Sequence, residues 1–423
     1  MRLPSNYKRQ AYGLALPGIT GKGRDRHKGP PWNCYSLLGL DFTITSRDYY
    51  LPDNSPEWLS SWLTPYQQEG LTFADNREGT LFYWPCGSGK TAGGVLWSLS
   101  SVGADKTVIV TRALARRQWQ REFHKISCDV RPVLLKGKTP QRIDPDTTHV
   151  IIGWECLPAW MGTLIAWKSY GDLQVIYDEI HRAKNWKRWE KSLLANGRVS
   201  WDYAQNISGS AARLATHCNR RLGLSATPAP NSLADLYSAL DLLEPGCWGT
   251  GLEWKKRYCG ARQNKWGGWD ANGRSNIPEL QGRLKFVVHK VDPAIVKAAL
   301  PPLRRQMCYL SSVDQSRPTG FKAEFKKVAK LGKQALFEMK LMEAAARKRK
   351  WLIEIVEENV AAGQKVVVFT GRKKDCEQLA DAIGKRCEKL NAPLWWGHGG
   401  VGSEARDTMV QEYSKYDGGC CLV

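Results

Sequence analysis

From Leu63 onward the chain alternates short, unbroken apolar runs with longer stretches of helical periodicity. The runs Leu81–Trp84, Thr107–Thr111, His149–Gly153, Leu173–Tyr177 and Arg221–Ser225 span four or five residues each. Apolar side chains at consecutive rather than alternate positions belong to strands buried on both faces. Such strands separated by helices make a parallel sheet covered on both sides, so the expected fold is α/β. The rhythm fails between residues 246 and 310, where Gly, Trp and basic residues predominate, and that stretch reads as a connector with small embedded elements. Helical periodicity dense in Lys returns from Phe321 to Val360 and carries the basic run Arg347–Lys350, whose plainest reading is a solvated helix face. A further buried-strand pattern, Lys365–Thr370, precedes a helix expected from about Lys374 to Leu390, and a last apolar run occupies Cys420–Val423. Four segments follow: an N-terminal extension (1–62), a first α/β domain (63–245), the connector (246–310) and a second, partial α/β domain (311–423).

Charge narrows the choice of partner. The sequence holds 62 Lys and Arg against 41 Asp and Glu, a net charge of +21. An excess of that size favours a polyanion, with nucleic acid first and an anionic membrane second. No apolar run approaches the ~18 residues of a spanning helix, and the N-terminus lacks the apolar core of a secretory signal. Residues 1–30 carry seven Arg or Lys and one acidic residue, Asp25, as a flexible basic arm would; residues 31–62 are more aromatic and read as packing on the first domain. The 12 cysteines form no C-x-x-C pair, which argues against zinc or a disulfide framework and for a reducing interior. The compartment expected is the cytoplasm of a bacterial or phage-infected cell rather than a nucleus. The 19 Trp include some beside Lys and Arg, as at Trp186–Trp189, where base stacking or phosphate contact on one side and plain packing on the other are both open.

Three stretches carry chemistry. In Thr80–Thr91 an apolar run breaks into Pro85-Cys-Gly-Ser-Gly-Lys-Thr91 and then a helix, the context of a phosphate-binding loop. Gly87 and Gly89 let the backbone curl until N–H groups, including that of Ser88, converge on one anion at a helix N-terminus. Lys90 reaches the β and γ phosphates of a nucleotide and Thr91 ligates Mg2+. The first glycine of G-x-x-x-x-G-K-[ST] is absent, because Trp84 stands there. In Leu173–His181 a buried strand ends in Asp178 and Glu179, one to hold Mg2+ and one to orient or deprotonate water. Arg221–Pro228 is a strand ending in Ser225-Ala226-Thr227, whose hydroxyls can bond the acidic loop. Upstream, a Gln at 67 or 68 offers the donor and acceptor that match an adenine edge, although a plain surface Gln is the simpler reading.

In this order the pieces resemble a superfamily 2 helicase-type ATPase of the Swi/Snf-like group, closest to its HARP-like annealing-helicase branch. Leu63-Thr-Pro-Tyr-Gln67 is similar to the adenine-reading segment, which makes Gln67 the contact. Gly87, Gly89, Lys90 and Thr91 match the phosphate loop; Asp178, Glu179 and His181 match the D-E-x-H box, extended by Arg182–Asn185; Ser225–Thr227 match the S-A-T box. Val108–Phe123, with Gln118, Trp119 and Arg121–Phe123, resembles the segment after the second core strand whose neighbourhood tracks one DNA strand. The resemblance implies two RecA-like lobes with Mg-ATP in the cleft between them, movement on duplex DNA, and His181 as a relay between ATP and the S-A-T strand. It also places a glycine-containing motif and an arginine-rich motif after Cys420–Val423. Neither is in the sequence, so slow turnover is expected of the chain as written. Two other readings stay open at this level: a nucleotide-gated DNA-binding module without turnover, and an RNA helicase.

Overall fold

The computed structural model describes residues 57–75, 77–100, 104–127, 129–184, 188–193, 199–263, 269–302 and 333–423. The basic arm, most of the aromatic extension, Asn185–Lys187 and the start of the Phe321–Val360 helix lie outside them. The chain forms two compact units, Met1–Pro302 and Leu303–Val423.

The strands of the first unit are β1 (Gly79–Tyr83), β2 (Lys106–Thr111), β3 (Val133–Leu135), β4 (His149–Gly153), β5 (Leu173–Asp178), β6 (Trp189–Leu193), β7 (Val199–Tyr203), β8 (Arg220–Ser225), β9 (Arg262–Gln263), β10 (Trp269–Asp270) and β11 (Val288–Lys290). Seven make one sheet in the order β11-β1-β8-β5-β2-β4-β3, every pair parallel. Its helices are α1 (Glu57–Trp62), α2 (Pro65–Asp75), α3 (Lys90–Leu99), α4 (Arg116–Ile126), α5 (Leu157–Trp167), α6 (Ile207–His217), α7 (Leu233–Leu243), α8 (Gly251–Tyr258), α9 (Ile277–Leu284) and α10 (Pro293–Ala298). Consecutive strand residues feed two separate cores. Leu81, Val108, Val110, Val175 and Tyr177 join the core under α5–α9. Phe82, Ile109, Ile151 and Ile176 join the core under α1–α4. This is the two-faced burial that the unbroken apolar runs predict.

The stretch 246–310, which reads as a connector, is instead built into the first unit as far as Pro302. Val288–Lys290 adds a parallel strand beside β1, and Leu280, Leu284 and Val287 are buried in the main core. A three-residue strand among Gly, Trp and basic residues leaves no periodic trace. β6 and β7 pair as an antiparallel hairpin between β5 and β8. Arg188, grouped in the sequence with residues able to meet phosphates, is buried and paired with Asp241 at 2.5 Å, so it is unavailable to a nucleic acid.

The second unit has α11 (Lys333–Ala361), β12 (Lys365–Val367), α12 (Lys373–Lys389), β13 (Leu394–Trp395), α13 (Ser403–Lys415) and β14 (Cys420–Leu422), with parallel strands in the order β12-β14-β13. The run Lys365–Thr370, expected to be buried on both faces, is a strand only to Val367. Val366 and Val368 pack on Val356, Val360 and Ile383, while Val367 and Phe369 face away and are exposed. Within this unit α11 and α12 cover one face of the sheet, so the strand alternates. No helix among the described residues is long and apolar enough to cross a membrane.

Two buried histidines of the first unit make its stability depend on pH. His149 opens β4 and His289 lies in β11, and burial pushes both down to about 4 from an ordinary 6.5. Between these values the unfolded chain binds protons that the native state refuses, so stability rises with pH across the window and falls on acidification. The loss by pH 5 is about 2 kcal/mol for each histidine. Urea midpoints of the first unit's transition at pH 7.5 and 5 check this, and equal midpoints would contradict it.

Candidate nucleotide-binding site

β1, β8 and β5 are parallel neighbours, so residues remote in sequence leave the sheet at one edge. Tyr83 lies opposite Ser225, and Leu224 opposite Asp178. The loop after β1, the carboxylates after β5 and the hydroxyls after β8 therefore meet at the carboxyl ends of the strands, where open parallel sheets place ligand chemistry.

The loop between β1 and α3 is curled and braced. Gly87 and Gly89 have φ of 83° and 75°, left-handed values that favour glycine, and Gly89 caps α3 without a side-chain bond. Lys90 Nζ donates to the carbonyls of Trp84 (3.1 Å) and Pro85 (2.9 Å), which closes the loop on itself. The Ser88 carbonyl accepts from Tyr66 Oη (3.1 Å) and Gln67 Nε2 (3.0 Å). Gln67 is buried, and its Oε1 accepts from the Thr64 N–H at 2.8 Å. Thr91 lies in the first turn of α3, and Cys86 is exposed on the loop. Trp84 does not have a positive φ, so a residue with a side chain fits where the glycine is missing.

On the acidic side, Asp178 Oδ2 accepts from Thr111 Oγ1 (2.6 Å) and Trp119 Nε1 (3.0 Å), while Trp154 Nε1 donates to the Asp178 carbonyl (2.9 Å). These three holders have one legible trace in the sequence, the position of Thr111 at the end of a buried strand next to β5. Trp119 belongs to the segment that resembles a DNA-tracking element, yet its ring is buried and its N–H serves the carboxylate. Glu179 takes a left-handed backbone (φ 51°), a conformation that costs a residue with a side chain about 1–3 kcal/mol and recurs at functional sites. Burial and the neighbouring Asp178 charge raise the Glu179 pKa, against the opposing pull of Lys90, Arg112 and Arg182. His181 Nδ1 lies 3.3 Å from Glu179 Oε2 and is hydrogen-bonded to Ser225 Oγ at 3.1 Å. Burial and the charges of Arg182, Lys184 and Arg112 lower the His181 pKa, leaving the imidazole neutral near pH 7. Ser225 Oγ also accepts from the Thr227 N–H at 3.0 Å. Thr227 is itself exposed, and the bond it makes is from its N–H to Ser225 within the same strand end, not to the acidic loop, with Ala226 between them.

A parallel α/β unit with a phosphate loop and an acidic strand end at one sheet edge has the architecture of a nucleotide-binding ATPase domain. The chain belongs to the SNF2-related domain family, whose profile matches residues 23–358. It is 27% identical to the DNA annealing helicase and endonuclease ZRANB3 of Mus musculus over 271 residues, 62% of this chain and 24% of that protein. It is 23% identical over 380 residues to the SWI/SNF-related matrix-associated actin-dependent regulator of chromatin subfamily A-like protein 1 of Xenopus tropicalis, 86% of this chain and 37% of that protein. The chain thus spans about a quarter to under two fifths of the length of these curated relatives. Among solved structures it is similar to the Sulfolobus solfataricus SWI2/SNF2 ATPase core in complex with dsDNA, with a TM-score of 0.46 and 17% identity over 90% of this chain and 80% of that one.

Proposed function

We propose that the chain is an ATP-dependent DNA motor of Swi/Snf-like type, which couples ATP hydrolysis to movement on, or remodelling of, duplex DNA. The observation that supports this best is the convergence of Lys90, Asp178, Glu179 and the His181–Ser225 pair on one edge of the sheet. The N–H groups of Gly87–Gly89 and the free end of α3 cradle the phosphates. The Ser88 hydroxyl, buried and without a hydrogen-bond partner among the described residues, is a donor left over for the same anion. Lys90 exchanges two loop carbonyls for phosphate oxygens.

The donors suit Mg2+. Among the described residues no three His, Cys, Asp or Glu side chains cluster as a protein cage would need. Mg2+ at nucleotide sites is held instead by one or two protein oxygens with phosphates and water. Thr91 and Asp178 would hold it, Asp178 with one oxygen fixed by Thr111 and Trp119; the bound ion neutralises charge on the phosphates. Glu179 orients the attacking water and takes its proton. His181 and Ser225 carry the change to the Ser225–Thr227 strand end. Gln67 reads adenine by exchanging one of its two present bonds, to Ser88 or Thr64.

Phosphate release with and without duplex DNA tests the proposal through the relative effect of DNA rather than the absolute rate. Release raised about tenfold or more by duplex supports a DNA motor; release indifferent to duplex contradicts it. DNA binding itself is expected to depend little on base sequence and steeply on salt. A log–log slope of about −5 or steeper corresponds to roughly six neutralised phosphates. Strong preference for one sequence, or a flat salt profile, would count against a track made of phosphates.

A further inference from the structure

The roles above leave the side chain of Trp84 unexplained, and it is the one departure in the phosphate loop. The indole is fully buried, stacked on Phe82 with centroids 4.3 Å apart and planes 5° apart. A Cβ at Gly70 of α2 would stand 2.4 Å from the ring, so that helix gives up a side chain to admit it. Filling space does not require an indole, because a phenyl ring also stacks. The specific feature is the N–H, which donates to His289 Nδ1 at 2.9 Å across 205 residues of sequence. At the other end of the same residue, the Trp84 carbonyl accepts from Lys90 Nζ.

His289 sits in β11 opposite Phe82, and the Val291 N–H donates to the Tyr83 carbonyl at 3.2 Å, so β11 is tied to the last residue before the loop. Further along the same segment, Leu300 Cδ1 lies 3.0 Å from where a Cβ on Gly87 would be. The segment Val288–Leu300 therefore touches the phosphate loop at its entrance and again at its turn, two residues short of the unit boundary at Pro302.

We propose that Trp84 and His289 form a positioning pair, whose indole–imidazole hydrogen bond fixes the entrance of the phosphate loop and thereby sets nucleotide affinity. The pair makes a loop that lacks its first glycine answer to β11, the last strand of the first unit. The inference rests on the reading of Gly87–Thr91 as the phosphate site. Breaking the bond leaves a buried donor or acceptor unpaired and loosens the residue whose carbonyl Lys90 grips.

The test is titration with a fluorescent ATP analogue and Mg2+ of the 423-residue chain and of Trp84→Phe, His289→Leu, His289→Gln, the Trp84→Phe/His289→Leu double variant and Lys90→Ala. Thermal midpoints are recorded for each, so that all are compared folded. Trp84→Phe and His289→Leu are each expected to weaken binding by about tenfold. The double variant should be no weaker than either single one, and His289→Gln, which keeps an acceptor, should recover most of the affinity. A general loss of packing does not give rescue by Gln with non-additivity. Wild-type affinity in folded Trp84→Phe or His289→Leu, additive losses, or a folded His289→Gln as weak as His289→Leu would overturn the pair. Should Trp84→Phe fail to fold, the contrast between His289→Leu and His289→Gln decides. Wild-type affinity in Lys90→Ala would overturn the phosphate-site reading itself, which separates the two failures.

Discussion

Glu179→Gln is expected to bind Mg-ATP within about twofold of the wild type and to lose about 10²–10⁴ in kcat, the range of a positioned general base. Gln keeps the shape and a hydrogen-bonding oxygen but cannot take a proton. Glu179 follows the last residue of β5, and its left-handed backbone turns the chain out of the sheet there. Burial first and Asp178 second raise its pKa, which makes the carboxylate a stronger base. Activity must therefore fall on acidification through a pKa above the usual carboxylate range, since only the ionised form accepts the proton. The acid limb of kcat/KM in the wild type, which reports the free protein, measures that pKa. A limb at or below an ordinary Glu value would remove Glu179 from this role.

Lys90→Ala acts on a different step. It should weaken nucleotide binding by about 100-fold, the loss of roughly 3 kcal/mol of charge-assisted bonding to the phosphates. The side chain also holds the Trp84 and Pro85 carbonyls, so its removal loosens the loop itself. Lys90→Arg, which keeps the charge on a larger and differently shaped head, is expected to fall between. Equilibrium titration gives the three constants, and an alanine variant that binds as well as the wild type would contradict the assignment.

How far the sequence could be read depended on how much of each feature was local. The five long strands of the first sheet were legible because each is an apolar run with both faces buried, as at Val108–Val110. β3 and β11 were not, since three residues carry no period and their pairing with β4 and β1 is tertiary. The β6–β7 hairpin hid in a stretch of mixed charge, and β12 misled because Val366–Phe369 looks uniformly apolar while only Val366 and Val368 face the core. In the site, the loop, the Asp178–Glu179 pair and Ser225 were visible as local motifs. Their holders were not. Nothing local to Trp119 or Trp154 says that an indole will reach Asp178, and nothing near Trp84 points to His289. Gln67 was legible as a polar group before the loop, but both of its amide atoms are engaged by Ser88 and Thr64, a bracing role the motif does not announce.

The proposed motor depends on ATP being bound and hydrolysed at the edge formed by β1, β8 and β5. Its most direct test is single-turnover hydrolysis of Mg-ATP by excess protein in the presence of duplex DNA, for the 423-residue chain beside Glu179→Gln and Lys90→Ala. The prediction is phosphate release by the wild-type chain, bound ATP without release in Glu179→Gln, and little bound nucleotide in Lys90→Ala at the same concentration. Release by Glu179→Gln at the wild-type rate would contradict it.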